Sequence, residues 1–91
     1  MSLNSLYETI LDRKENPKES SYTSSLFAEG LPRMAQKVGE EGTEVVVAAL
    51  SQENARLVEE IADLAYHVLV LMAAKGVSPQ DVAAELEKRK R

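Results

Sequence analysis

Leu57-Val-Glu-Glu-Ile-Ala-Asp-Leu-Ala-Tyr-His-Val-Leu-Val-Leu-Met-Ala-Ala74 puts an apolar side chain in almost every direction around a helix axis. A helix apolar on all sides is covered on all sides. The full helix is predicted from Asn54 to Lys75, with Gly76 suited to its left-handed C-terminal cap. A 91-residue chain has few elements with which to cover such a helix, so a second subunit is expected to complete the cover, giving a homodimer. Beyond Glu59, the charged and imidazole exceptions are Glu60, Asp63 and His67, and they share one stripe about 60° wide. A buried helix does not place acids there for packing.

Upstream, Lys37-Val-Gly-Glu-Glu-Gly-Thr-Glu44 holds Glu41 and Glu44 at the same i, i+3 spacing as Glu60 and Asp63. Such residues lie on one helix face. This preceding helix is predicted from Pro32 to Leu50, with Met34, Val38, Val45 and Ala49 as its apolar stripe. Ser51 to Asn54 supplies capping residues for a short turn, which sends the next helix back antiparallel. Two acidic pairs then face each other. Like charges in a poorly solvated place repel, and a hard divalent cation reverses that penalty. Glu41, Glu44, Glu60 and Asp63 are therefore the candidate metal ligands, with Mg²⁺ the expected ion. Solvated surface acids are the competing reading, and acids interrupting an apolar helix count against it.

Around this pair the chain is helical throughout. Leu3, Leu6, Tyr7, Ile10 and Leu11 form an amphipathic helix that should stop near Asn16-Pro17. A polar loop follows, and then a short helix around Thr23–Glu29 that Gly30 ends. Pro32 suits a first turn, and Ser78-Pro79-Gln80-Asp81 combines a cap, a Pro and an acid for a last helix whose Val82 and Leu86 should face inward. The fold class is all-α, an antiparallel bundle of four to five helices in one domain spanning residues 1–91. With one Phe and three Tyr, its core must be aliphatic.

Composition narrows the function. No cysteine is present, which excludes a disulfide framework and a thiolate metal site. A net charge of -4 gives no electrostatic reason to expect nucleic-acid binding. No segment has the length of a membrane span or the flanks of a signal peptide, so a cytoplasmic location with no membrane partner is expected. The basic Lys88-Arg-Lys-Arg91 tail is read as solvated and complementary to a helix dipole.

Several residues keep two readings. His67 is read as a core histidine bonded to a carboxylate in preference to a metal ligand. Lys37 either neutralises the acids or holds a phosphate as a point charge. Ser21-Tyr22-Thr23 serves as a helix cap or as a ligand loop, and Glu40, farther from the stripe, as a supporting acid or a surface charge.

At Ser21-Tyr22-Thr23, Leu26, Gly30, Lys37-Val-Gly-Glu-Glu41, Glu44, Glu60, Asp63, Tyr66-His67, Gly76 and Glu85-Leu86 the chain resembles the phosphoribosyl-ATP pyrophosphohydrolases. Its two acidic pairs, ExxE and ExxD, are shared more widely with the MazG-like all-α nucleotide pyrophosphohydrolases. The resemblance implies Mg²⁺-dependent hydrolysis of phosphoribosyl-ATP to phosphoribosyl-AMP and pyrophosphate, the second step of histidine biosynthesis. It implies the four acids as metal ligands, Glu40 or Glu41 as the base, and Lys37 and Arg33 on phosphate oxygens. Ser21, Tyr22, Thr23 and His67 join the expected substrate-binding residues. No cyclohydrolase domain is fused on, so a stand-alone form is expected, linked in function to a separate phosphoribosyl-AMP cyclohydrolase. Two alternatives remain: a MazG-like housekeeping nucleoside triphosphate pyrophosphohydrolase, and a non-catalytic helical dimerisation module. The Ser21–Thr23 and Tyr66-His67 elements speak against the first, and the polar stripe on a buried helix against the second.

Overall fold

The computed structural model describes residues 1–90; Arg91, last of the basic tail, lies outside the described residues. The described chain is all-α. Its helices are α1 (Leu3–Glu15), α2 (Tyr22–Glu29), α3 (Leu31–Ser51), α4 (Asn54–Lys75) and α5 (Pro79–Lys88).

Local chemistry sets most of these boundaries. Ser2 and Ser5 cap α1 reciprocally, and Ser78 and Asp81 do the same for α5. Gly30 at φ 96° ends α2 and begins α3, with Pro32 in the following turn. Gly76 at φ 72° closes α4, and there Val77 N–H donates to the Met72 carbonyl, a helix-ending bond that needs the left-handed residue. The turn between α3 and α4 departs from expectation. Ser51 belongs to α3, Asn54 is the first residue of α4, and Glu53 stands at the cap without a side-chain bond. Packing of the two long helices fixes that corner instead of a cap.

α4 packs along α3 and against α1, while α2 bridges α1 and α3. One cluster forms the core: Tyr7 and Ile10 from α1, Leu26 from α2, Met34 from α3, and Leu69, Val70 and Ala73 from α4. Burying each of its larger aliphatic side chains stabilises the fold by about 1.5–3 kcal/mol. Two polar straps close the end of α4, where the Tyr7 hydroxyl donates to the Val77 carbonyl at 2.7 Å and the Lys14 ammonium to the Ala73 carbonyl at 3.0 Å.

The inward face of α3 runs through Met34 and Ala48, with Val38, Glu41 and Val45 half-buried between them. Ala49, expected in that stripe, is exposed. The helical repeat of 3.6 carries the face from residue 34 to 48, one position short of Ala49. A second correction concerns α5, which buries no residue. Val82 and Leu86 do turn toward α4, yet both stay exposed, Leu86 by 65%. They form one wall of an open apolar groove of about 470 Å³ whose other walls include Leu3, Ile61, Leu64, Val68 and Met72. Amphipathicity gave the side on which these residues lie, and nothing among the described residues covers that side. Beyond the groove Val58 is 67% exposed, so the apolar girth of α4 exceeds what its own chain hides.

Candidate active site

Pairing of α3 with α4 brings Glu41, Glu60 and Asp63 together, with one carboxylate oxygen of each lying within 4.8 Å of the others. Glu60 is 5% exposed, Glu41 is half-buried and Asp63 is open to solvent. The cluster grades from a buried acid to one open to solvent. Neighbouring ligand oxygens around Mg²⁺ stand about 3 Å apart and opposite ones about 4.2 Å. Modest side-chain rotation reaches those distances, and an all-oxygen donor set is the one Mg²⁺ selects. The residues fit the ion.

Two cations partly balance the acids. Lys37 lies 3.3 Å from Glu41 and 3.7 Å from Glu40. Partial burial would lower the Lys37 ammonium, but its bond to Glu41 and the nearby Tyr22, Glu41 and Glu40 charges hold it above its ordinary value. Arg56 pairs with Glu60 and, at 2.7 Å, with Glu59. The bond to Glu59 first, and the charge of Glu60 next, hold its guanidinium above its ordinary range. Asp63 takes part in no ion pair among the described residues.

The other expected residues lie outside this three-acid cluster. Glu44 is exposed and outside the three-acid cluster, near enough to Arg56 to act on its charge. Glu40 is also exposed, 3.9 Å from Arg33, and accepts a hydrogen bond from the Gln36 amide at 3.1 Å. Ser21 is the N-cap of α2, its hydroxyl accepting from Ser24 N–H at 3.1 Å. Thr23 bonds its hydroxyl to the Tyr66 hydroxyl. Burial, opposed by that bond, raises the Tyr66 phenol above its ordinary value.

His67 is buried, as the core-histidine reading expects, but its partner is different. The ring bonds through Nδ1 to the Asp63 backbone carbonyl at 2.7 Å, and its Nε2 lies 3.2 Å from the Tyr22 hydroxyl. A histidine one turn after a helical residue meets that residue's main-chain oxygen before its side chain, which projects outward. Tyr22, Tyr66 and His67 pack as one aromatic group. The residue passed over in the sequence is Arg56. Its i, i+4 spacing to Glu60 was the available signal.

Comparison with known proteins matches residues 3–90 to the phosphoribosyl-ATP pyrophosphohydrolase family. This chain belongs to that family. It is 55% identical to the phosphoribosyl-ATP pyrophosphatase of Sulfurisphaera tokodaii, over 96% of this chain and 93% of that one. A phosphoribosyl-ATP pyrophosphatase of Listeria welshimeri is 58% identical, over 96% of this chain and 84% of its own length. That of Sulfolobus acidocaldarius is 53% identical over 96% and 92% respectively.

Proposed function

We propose that this protein hydrolyses phosphoribosyl-ATP to phosphoribosyl-AMP and pyrophosphate, with Mg²⁺ held by Glu41, Glu44, Glu60 and Asp63. The observation that carries the reading is the convergence of three carboxylates from two helices, in a chain of this family. Glu44, on the next turn of α3 and close to Arg56, would complete the ligand set from the exposed side. Bound there, Mg²⁺ would supply Lewis acidity that screens phosphate charge and makes an attacking water more acidic.

The chain's own residues account for the rest. Lys37 and Arg33 already hold acids in place and exchange them for phosphate oxygens when the triphosphate enters. Glu40 keeps an exposed carboxylate outside the cluster and is positioned to take a proton from water, with Glu41 the second candidate. Ser21 fixes the N-terminal turn of α2, whose free amides favour an anion. Tyr22, bonded to His67, and Thr23, bonded to Tyr66, are read as selecting the group attached to the triphosphate. The site is read as working in the cytoplasm; no helix among the described residues is long and apolar enough to cross a membrane.

The open groove along α4 and α5 supports a homodimer as the working unit. Its walls are apolar, and a second copy would cover them together with Val58.

A substrate panel tests the function. Phosphoribosyl-ATP should be cleaved with Mg²⁺ and left intact with a chelator, while ordinary nucleoside triphosphates should be poor substrates. Equal use of ordinary triphosphates would move the reading to a housekeeping pyrophosphohydrolase. Inactivity on every substrate would leave a helical dimerisation module.

A further inference from the structure

We propose that Arg56 anchors the pyrophosphate end of the substrate: its guanidinium holds Glu60 in the free protein and turns to the terminal phosphates, those that depart as pyrophosphate. The inference rests on the reaction proposed above and adds a residue to it. Helix stability does not ask for arginine at this position. Arg56 lies in the first turn of α4, where a cation opposes the helix dipole, and it precedes both its acidic partners, the weaker order for such pairs. What it reaches is the acid cluster. Nη2 lies 2.5 Å from Oε1 of buried Glu60, one of the three clustered acids, and Glu44 on α3 is near enough to act on its charge. Nη1 holds exposed Glu59 at 2.7 Å. The guanidinium is half-exposed and bonds only through these two nitrogens among the described residues, so it keeps N–H donors for an incoming anion.

Two cations bracket the acids. α3 and α4 are joined only through Gln52 and Glu53 and run antiparallel. Lys37 stands one turn before Glu41 on α3, and Arg56 one turn before Glu60 on α4. The cations therefore fall at opposite ends of the cluster, about 11 Å apart along the helices. The Lys37 end is that of the aromatic group: Tyr22 is near enough to Lys37 to act on its charge, and it packs with Tyr66 and His67. Arg56 stands about 16 Å back along α4 from His67. A triphosphate laid across the acids with its nucleoside toward the aromatic group thus turns its terminal phosphates to Arg56. A planar guanidinium suits them, because it offers paired N–H groups to phosphate oxygens. Once Glu60 serves a metal, its buried carboxylate no longer depends on Arg56, and the guanidinium is released for phosphate.

Calorimetry with pyrophosphate at saturating Mg²⁺ tests the assignment on wild type, Arg56→Gln and Arg56→Lys. Phosphoribosyl-AMP serves as the second probe, and Mg²⁺ is titrated alone in parallel. Arg56→Gln should weaken pyrophosphate about tenfold or more, leave phosphoribosyl-AMP within about twofold, and tighten Mg²⁺. Arg56→Lys keeps the charge without the fork and should fall between wild type and Arg56→Gln. Opposite signs for pyrophosphate and Mg²⁺ separate an anchor from a residue that only supports the fold, whose loss would weaken all three ligands. Unchanged pyrophosphate affinity in Arg56→Gln, an equal loss for phosphoribosyl-AMP, or a loss of all three overturns the inference. A wild type that takes up no pyrophosphate overturns it as well. A wild type that binds pyrophosphate through Arg56 yet leaves phosphoribosyl-ATP intact overturns the functional reading and keeps the anchor.

Discussion

Replacing Asp63 by Asn should change stability in opposite directions with and without Mg²⁺. In the metal-free protein its carboxylate lies within 4.8 Å of ligand oxygens of Glu41 and Glu60. At that separation each like-charge pair costs about 0.9 kcal/mol in water and about 3.5 kcal/mol at an effective dielectric of 20. Asp63 is exposed, so solvent and salt draw the cost toward the lower figure. Lys37 and Arg56 balance part of the other two charges. Metal-free Asp63→Asn should accordingly gain about 1 kcal/mol, a rise in Tm of roughly 4–8 °C for a domain of this size. The backbone carbonyl that His67 uses is kept. With Mg²⁺ at a hundred times its Kd, wild type gains about 2.7 kcal/mol and overtakes a variant short of one ligand. Thermal unfolding followed by circular dichroism, at one protein concentration in chelator and in Mg²⁺, reads both signs. A wild-type Tm indifferent to Mg²⁺, or a variant less stable in chelator, would refute the reasoning.

Three further outcomes are expected. Arg56→Gln should tighten Mg²⁺ binding by removing a cation from Glu60, and should lower metal-free stability because a buried carboxylate loses its partner; weaker binding by calorimetry would contradict this. Burial raises the Tyr66 and Tyr7 phenols in the folded state, so folding protects their protons, and that stability is present below the ordinary value of 10.0 and is lost as pH climbs through the raised values. Tyr66→Phe should flatten the fall in Tm above about pH 10, and an identical alkaline profile would count against it. Ile61→Glu places a charge in the groove between α4 and α5 and should yield monomers at micromolar concentration in light scattering; an unchanged mass would show that the groove is not the dimer contact.

Much of the fold was legible because its punctuation is chemical. Gly30, Gly76 and the Ser78–Asp81 box each admit few alternatives, and the limits of α4 fell where the sequence placed them. Glu41, Glu60 and Asp63 were legible because helical spacing and a short turn together fix which side chains meet. Val82 and Leu86 were harder. A pattern names the face of a helix and cannot name its cover, so their side was right and their burial was not. The bonds of His67 were also out of reach. A ring one turn after Asp63 has both the carboxylate and the main-chain oxygen within range, and only the folded rotamer decides. Contacts such as Thr23 with Tyr66 join distant segments and carry no local signature.

The central claim is that acids brought together by α3 and α4 carry the chemistry through Mg²⁺. Pyrophosphate release from phosphoribosyl-ATP, measured against Mg²⁺ concentration for wild type and Glu60→Gln, addresses it most directly. Wild-type turnover should rise from background in chelator to a plateau. Glu60→Gln, with normal helical content, should stay about a hundredfold lower, the equivalent of about 2.7 kcal/mol of lost transition-state stabilisation. Turnover that persists in chelator, or full activity in Glu60→Gln, would contradict the account.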